Sequence, residues 1–217
     1  MELNIDAQCK GTRIITGKEA RQRRTLLNLL IGHVWAQNYQ EIILPTIEPL
    51  AIYTDKAGEE VQGQIYTFMD KGERTCCLRP EVTATIQLIA DKHYNKRGKD
   101  IKLWYFEKCY RYERPQAGRY REFFQFGVEV INPSKDYKEE LITLASELVS
   151  LVTPDFTVDK AVKRGLNYYT EDGFEISVEK LGAQKQVCGG GKYKQGIGFA
   201  LGFDRLMLCL DPSLINE

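Results

Sequence analysis

The segment CYRYERPQAGRYREFFQFGVEV carries Arg111, Arg114, Arg119 and Arg121 within eleven positions. Guanidinium groups are permanently charged planar forks whose paired N–H donors match phosphate oxygens. On an extended strand Arg111 and Glu113 share one face while Tyr110 and Tyr112 share the other. Beyond the loop, Gln125 and Glu129 again fall on a single face. The segment therefore offers cationic forks, an amide and a carboxylate to one surface, a combination suited to a phosphate and to an amine or imidazole N–H. Taken alone, an arginine turn is usually just a solvated loop, so the surrounding elements decide its meaning. Other chemistries have little support. The chain has two histidines, His33 and His93, too few for a histidine-based triad. Its six cysteines form no CxxC pair, which predicts neither a zinc site nor a disulfide framework and suits a reducing, cytoplasmic compartment.

The elements that must position these residues follow from periodicity and punctuation. Thr16 and Glu19 are spaced as a capping box that opens a helix to about Gln37, with Leu26, Leu29, Leu30, His33 and Val34 on one stripe. His33 in that stripe reads as a packed or interfacial residue. Ile42–Leu44 predicts a strand stopped by Pro45, at a sheet edge or a subunit contact. Gln64–Met69 and Thr75–Leu78 predict two more strands. Pro80 sits where a helix to about His93 would begin, with Glu81 in its first turn. Ile101–Arg111 and Glu122–Asn132 predict a long antiparallel hairpin whose tip is the arginine loop. Tyr137–Leu151 predicts an amphipathic helix with Leu141, Leu144, Ala145 and Leu148 on one side. Strands follow near Phe174–Val178 and Gln186–Cys188. The glycine-rich CGGGKYKQGIG then leads into GFALGFDRLMLCL, a strand turning into a helix. Hairpins with helices between them predict an α+β fold, an antiparallel β-sheet flanked by helices.

The chain has 217 residues with 30 Lys+Arg, 30 Asp+Glu and 43% hydrophobic residues, enough for one well-buried domain. Disordered and fibrous classes are excluded, as is a protein whose main work is coating nucleic acid. The densest apolar run, Leu26–Trp35, is interrupted by Asn28 and His33 and does not predict a membrane span; the polar start does not read as a signal peptide. The neutral total hides an asymmetry. Ten basic residues stand against three acidic ones between Lys92 and Arg121, and eight acidic against three basic between Glu122 and Lys160.

The arginine-bearing segment closely resembles motif 2 of class II aminoacyl-tRNA synthetases, in the version of the histidyl-tRNA synthetase family. LRPEVTATIQL, at Leu78–Leu88, resembles that family's LRPE-x-T segment. RGLNYYTEDGFE, at Arg164–Glu175, resembles its second histidine signature, and GFALGFDRLML is similar to motif 3. KGTR, the helix after it and the strand ending in proline are similar to the lead-in and motif 1. These blocks run in family order over most of the chain.

The resemblance implies a class II synthetase-like catalytic domain over residues 1–217, a homodimer, and ATP with Mg2+ as cofactors. It implies activation of histidine or a related amino acid to the aminoacyl-adenylate, with tRNA as an acceptor held weakly. Arg111 matches the arginine on the α-phosphate, Arg205 the motif 3 arginine at the far end of the triphosphate, and Arg119 and Arg121 the loop contacts to the β- and γ-phosphates. Arg164 matches the arginine beside the α-phosphate that acts with Arg111 in catalysis. Glu81, Thr83, Gln125, Glu129, Tyr168, Tyr169 and Tyr193 match residues that hold the amino acid. No metal ligand is nominated, and Asp204 reads as a supporting residue.

The chain departs from the family pattern at Phe124, where a histidine is usual, and at Asn167, where an aspartate is. Glu171-Asp172-Gly173 replaces a more neutral loop, which places two extra acids near the amino-acid pocket. The insertion domain of full-length members is expected to be absent or reduced to about 133–160, and an anticodon-binding domain absent. Two other readings follow from the same resemblance: a histidine-sensing regulatory subunit like that of ATP phosphoribosyltransferase, and an amino-acid ligase acting on an acceptor other than tRNA.

Overall fold

The computed structural model describes residues 9–54, 59–94, 98–163 and 168–211, which build one seven-stranded and one three-stranded sheet. Helix α1 (Gly17–Ala36) comes first. Its buried stripe is Leu26, Leu27, Leu30 and Val34, rotated slightly from the expected one. Leu29 is 42% exposed, and His33 lies at the rim with Nε2 2.9 Å from Glu147 Oε2. The expected capping box does not form. The Thr16 side chain makes no cap bond, and Glu19 instead accepts from Arg13 at 3.2 Å, a charge-assisted bond that outcompetes a backbone amide.

The pairing predicted for Ile42–Leu44 begins two residues earlier. Strand β1 (Gln40–Glu41) runs parallel to β5 (Ile101–Tyr110), and the Ile42 amide continues the ladder to Trp104 O at 2.9 Å. By Leu44 the amide has turned to a side chain, Glu107 Oε1 at 2.7 Å, which ends the pairing. The small sheet has the order β2 (Ile47–Pro49), β4 (Thr75–Leu78), β3 (Thr67–Met69), all antiparallel. Pro49 thus stands on an edge strand, where a missing N–H is tolerated. A short helix α2 (Glu59–Gln62) precedes β3.

Helix α3 starts at Thr83, not Pro80, and runs to Ile89 before a π-helical turn over Ala90–Tyr94. Strand β5 then pairs antiparallel with β6 (Glu122–Ile131) in unbroken register from Ile101↔Ile131 to Tyr110↔Glu122. Alternation divides this ladder cleanly. Trp104, Phe126, Val128 and Val130 enter the main core with α1 and α4 (Lys138–Ser150), while Leu103, Tyr105 and Cys109 face α3. Leu141, Leu144, Ala145 and Leu148 of α4 are buried in the main core, as expected. Strand β7 (Thr157–Val162) follows as the far edge of the large sheet, so much of the 133–160 stretch is built into the α+β core.

Strand β8 (Gly173–Ser177) pairs with β9 (Gln186–Tyr193), and β9 with β10 (Gly196–Gly202). The glycine-rich stretch expected as a lead-in is therefore mostly sheet. Its glycines leave room for neighbouring side chains: a Cβ at Gly190 would lie 2.6 Å from Phe174 Cε1, inside any permitted contact. Strand β10 closes on β6 and gives the order β1-β5-β6-β10-β9-β8-β7, antiparallel except at β1. Helix α5 (Phe203–Cys209) follows directly.

One buried cation ties the two sheets together. Arg79, fully inaccessible, donates to Glu107 Oε2 at 2.7 Å, to Pro45 O at 2.9 Å, to Leu44 O at 3.2 Å and to Lys108 O at 3.0 Å. Removing it leaves a carboxylate and several carbonyls unpaired away from water. Arg79→Ala is expected to lower the free energy of unfolding by about 3–5 kcal/mol, read as a shifted urea midpoint. A midpoint unchanged by the substitution would mean that this network carries little of the stability.

Candidate active site

A cavity of about 390 Å3 lies against the face of β6 that carries Gln125, with Glu81, Thr83, Arg111, Arg119 and Arg205 also on its walls. Each of these six was expected at a site from the sequence, and the fold brings them to one chamber. Tyr168 and Tyr169 complete the wall on the amino-acid side, their rings 4.7 Å apart.

The cationic end is assembled from three elements. Arg111 leaves the end of β5, donates through Nε to Pro80 O at 2.9 Å, and lies 5.3 Å from the centre of the Phe123 ring. Arg119, in the hairpin loop, pairs with Glu113. Arg205, on α5, donates to Gly118 O at 2.9 Å, Gln186 O at 2.8 Å and Gln184 Oε1 at 3.0 Å. Burial lowers the pKa of Arg205 from its ordinary value, and repulsion from Arg111 and Arg119 pushes it the same way. Arg111 and Arg119 thus repel Arg205, while Glu113 and Glu175 on the same wall attract it, and the three guanidinium forks present donors suited to a polyanion. Arg121 is placed differently. It is not on the cavity wall: its guanidinium stacks on Tyr112 at 3.9 Å, and its Nε donates to Glu113 O at 3.0 Å.

The other end is acidic and buried. Glu81 does not sit inside a first helical turn as expected; it stands just ahead of α3 and accepts the amides of Thr83 and Ala84, both at 2.8 Å. Tyr168 Oη donates to it at 3.2 Å. Burial nevertheless raises the pKa of Glu81, against these bonds and the attraction of Arg111. Glu129 lies deeper, 1% exposed, and accepts from Tyr193 Oη at 2.9 Å and Thr83 Oγ1 at 3.2 Å. Its opposite strand must be glycine, because a Cβ at Gly198 would lie 1.9 Å from Glu129 Oε2. Burial pushes the Glu129 carboxyl up to about 8, and the nearby Glu81 charge adds to the effect. Glu129 and Tyr193 are therefore not on the cavity wall but one layer beneath it, reached through Thr83. Gln125 Oε1 accepts from the buried Cys109 thiol at 3.2 Å.

Sequence reasoning did not single out Tyr105, whose fully buried hydroxyl has no hydrogen-bond partner among the described residues and which stands opposite Gly127 in the ladder. A tyrosine facing a glycine is a readable signal once the register is known. Asp204, read only as a supporting residue, lines the cavity and accepts from Arg13 at 2.9 Å, Arg23 at 2.8 Å and the Phe124 amide at 2.7 Å. Phe124, standing where the family pattern has histidine, stacks on Phe106 at 4.7 Å. The extra acids Glu171 and Asp172 are not on the cavity wall, and Glu171 pairs with Lys192 at 2.9 Å. Arg164 and Asn167 lie outside the described residues.

The raised pKa of Glu129 has a consequence for stability. The folded protein holds a proton on this carboxyl that the unfolded chain has released above its ordinary value of 4.5. That contribution is fully present below about 4.5 and is lost as pH rises through about 8. Glu129→Gln removes this titration, so its unfolding free energy should fall less between pH 5 and 8 than the parent's, measured by urea denaturation at each pH. Parallel curves would contradict the assignment.

Residues 11–155 match the family model described as histidyl-tRNA synthetase. The chain is similar to the histidine--tRNA ligase of Methanosarcina acetivorans, 31% identical, covering 91% of this chain and 74% of that protein. It is 28% identical to that of Archaeoglobus fulgidus, over 91% and 74%. The first alignment spans 305 positions, more than the 217 residues here, so that relative carries internal stretches this chain lacks. Among solved structures, apo histidyl-tRNA synthetase of S. aureus superposes with a TM-score of 0.79 at 27% identity, covering 97% of this chain and 71% of that one. A Bacillus halodurans protein described as an ATP phosphoribosyltransferase regulatory subunit/histidyl-tRNA synthetase shares the fold at 0.80 and 16% identity, over 97% and 84%. With the arginine-ringed chamber and its buried carboxylates, these matches lead to one conclusion: the chain belongs to the histidyl-tRNA synthetase family.

Proposed function

We propose that the chain activates histidine with ATP, forming histidyl-adenylate and pyrophosphate. The observation that carries this reading is the union, in one cavity, of Arg111, Arg119 and Arg205 with the Glu81–Thr83–Gln125 wall. The first group suits a triphosphate and the second an α-amino acid. A histidine carboxylate oxygen attacks the α-phosphorus, a new P–O bond forms, and the bond to the β-phosphate bridge breaks with its electron pair leaving on pyrophosphate. Negative charge grows on the equatorial oxygens. Arg111 stabilises it from one side and Arg164, carried over from the family signature, from the other. No side chain has to move a proton. Glu81 meets the α-amino group and Tyr168 and Tyr169 at the wall meet the imidazole, while Glu129 and Tyr193, one layer beneath, act on the ligand through Thr83.

Magnesium belongs with the triphosphate. Among the described residues no three His, Cys, Asp or Glu side chains cluster as a metal site, whereas Glu113 and Glu175 stand on the cavity wall. A hydrated ion carried by phosphate oxygens, with one or two protein carboxylates, fits that donor set. Transfer of the aminoacyl group to tRNA would rest on the basic Lys92–Arg121 region and be strongly salt-dependent. We also place the chain in a homodimer. Ile43 and Ile47, flanking Pro45, are 80% and 58% exposed, and Trp35 at the end of α1 is 59% exposed, which together leave apolar surface next to an edge strand. No helix among the described residues is long and apolar enough to cross a membrane; we assign the protein to the cytoplasm.

ATP–pyrophosphate exchange tests the reading. Histidine should stimulate exchange, and Arg111→Ala, Arg164→Ala or Arg205→Ala should each reduce it by about a hundredfold or more. If none of the standard amino acids stimulates exchange, the activation reading fails; histidine binding without ATP binding would then favour the sensing role. Sedimentation should give about twice the monomer mass, and Ile43→Asp with Ile47→Asp should return the monomer. A parent protein that stays monomeric at micromolar concentration would overturn the dimer.

A further inference from the structure

The segment before α1 reaches across to the arginine loop, and nothing in the activation chemistry uses it. Gly11 has φ +84°, and its carbonyl accepts the Arg121 amide at 2.8 Å. A Cβ there would lie 2.7 Å from Arg121 Cγ and 3.0 Å from Pro115 Cγ, so both the backbone conformation and the close approach call for glycine. Two residues on, the Arg13 guanidinium covers the Tyr120 ring at 4.1 Å and donates to Asp204 Oδ1 at 2.9 Å. The same oxygen accepts from Arg23 at 2.8 Å, while Oδ2 takes the Phe124 amide at the start of β6. Arg23 lies 4.9 Å from the Phe203 ring centre, and its Nη2 is buried without a hydrogen-bond partner among the described residues. From the next residue along α5, Arg205 holds Gly118 O at the loop tip.

These contacts close a circle from the leading segment to the loop, the root of β6, α5 and back to the loop. Within the hairpin, Gln116 and Arg119 exchange backbone bonds of 3.1 and 2.9 Å, the Arg111 amide meets Arg121 O at 3.0 Å, Arg121 holds the Glu113 carbonyl, and Glu113 pairs with Arg119. The circle adds holds from outside the hairpin on both neighbours of Arg119, on Gly118 through Arg205 and on Tyr120 through Arg13. Gly11, Arg13 and Arg23 are not on the cavity wall and can act on a ligand there only through the groups they hold. Resting on the reading of this cavity as an ATP site, we propose that Arg13, anchored by the Arg23–Asp204 pair and assisted by Gly11, is a positioning residue that fixes the arginine loop in the geometry that grips the triphosphate.

Pyrophosphate exchange with ATP and histidine varied separately tests it. Arg13→Ala should raise the KM for ATP about tenfold while the KM for histidine stays within about twofold, since a small misplacement of a binding group is felt mainly by the ligand it holds. Arg13→Lys, which keeps the charge but loses the fork, should recover part of the effect. In an Arg119→Ala background the same Arg13→Ala change should add less than about twofold, the signature of two residues acting as one unit. A KM for ATP unmoved by Arg13→Ala, or an effect that multiplies in full with Arg119→Ala, would overturn the proposal. Should Arg13→Ala fail to fold, Gly11→Ala, also off the cavity wall, disturbs the hold on the Arg121 amide and should move the KM for ATP the same way; an unmoved KM there would equally overturn the proposal. If the parent shows no exchange, the activation reading fails separately, and the positioning is read by trypsin. Cleavage after Arg119 and Arg121 should then be about tenfold faster in Arg13→Ala, the population of the opened loop having risen. Equal cleavage would overturn it.

Discussion

The register of β5 against β6 is the constraint on which the rest depends. Because side chains alternate, the pairing of Leu103 with Glu129 and Glu107 with Gln125 sends every second residue towards the cavity side and the others into the apolar core. A slip of one residue would put Phe126 and Val128 at the site and bury Gln125 and Glu129 among helices. The aromatic stack of Trp104 on Phe126, 5.6 Å between ring centres, and of Phe106 on Phe124 makes such a slip unfavourable, since each pair would be broken. The apolar face thus fixes the chemistry of the polar one.

That polar face holds two opposite electrostatic problems within one chamber. At one end Arg205 is pressed by Arg111 and Arg119, which together with burial lowers its proton affinity; at the other, burial raises the proton affinity of two carboxylates. One end therefore presents cationic forks and the other buried carboxyl groups. The chain's overall neutrality masks this, because it is a sum over residues that never meet.

Much of this was legible in the sequence, and what was not shares a physical cause. The hairpin, the α4 stripe and the arginine loop rest on alternation and local spacing, which the chain itself displays. The cap of α1 failed because Glu19 found Arg13, a competitor invisible to a spacing rule. Gly190 falls in a glycine-rich lead-in with no strand pattern of its own, because the reason for it lies in Phe174, a side chain on the neighbouring strand. Asp204 and Tyr105 gained their meaning only from partners, or the lack of one, far along the chain. Arg121 shows the reverse: the residue type suited phosphate, but the nearby Tyr112 ring and Glu113 carbonyl hold its side chain.

The order of the large sheet also bears on how the protein reaches this state. Strands β5–β6 form one hairpin and β7 to β10 one meander, each assembled from sequence neighbours. The two are joined only where β6 meets β10, a seam that pairs residues as distant as Gln125 and Gly202. Closing it fixes a long loop before any contact repays the lost chain entropy, a cost that the hairpin and the meander do not carry. Glu129 faces Gly198 across that same seam. The buried carboxylate beneath the site therefore acquires its surroundings only when the two halves of the sheet meet, so the site is completed with that seam.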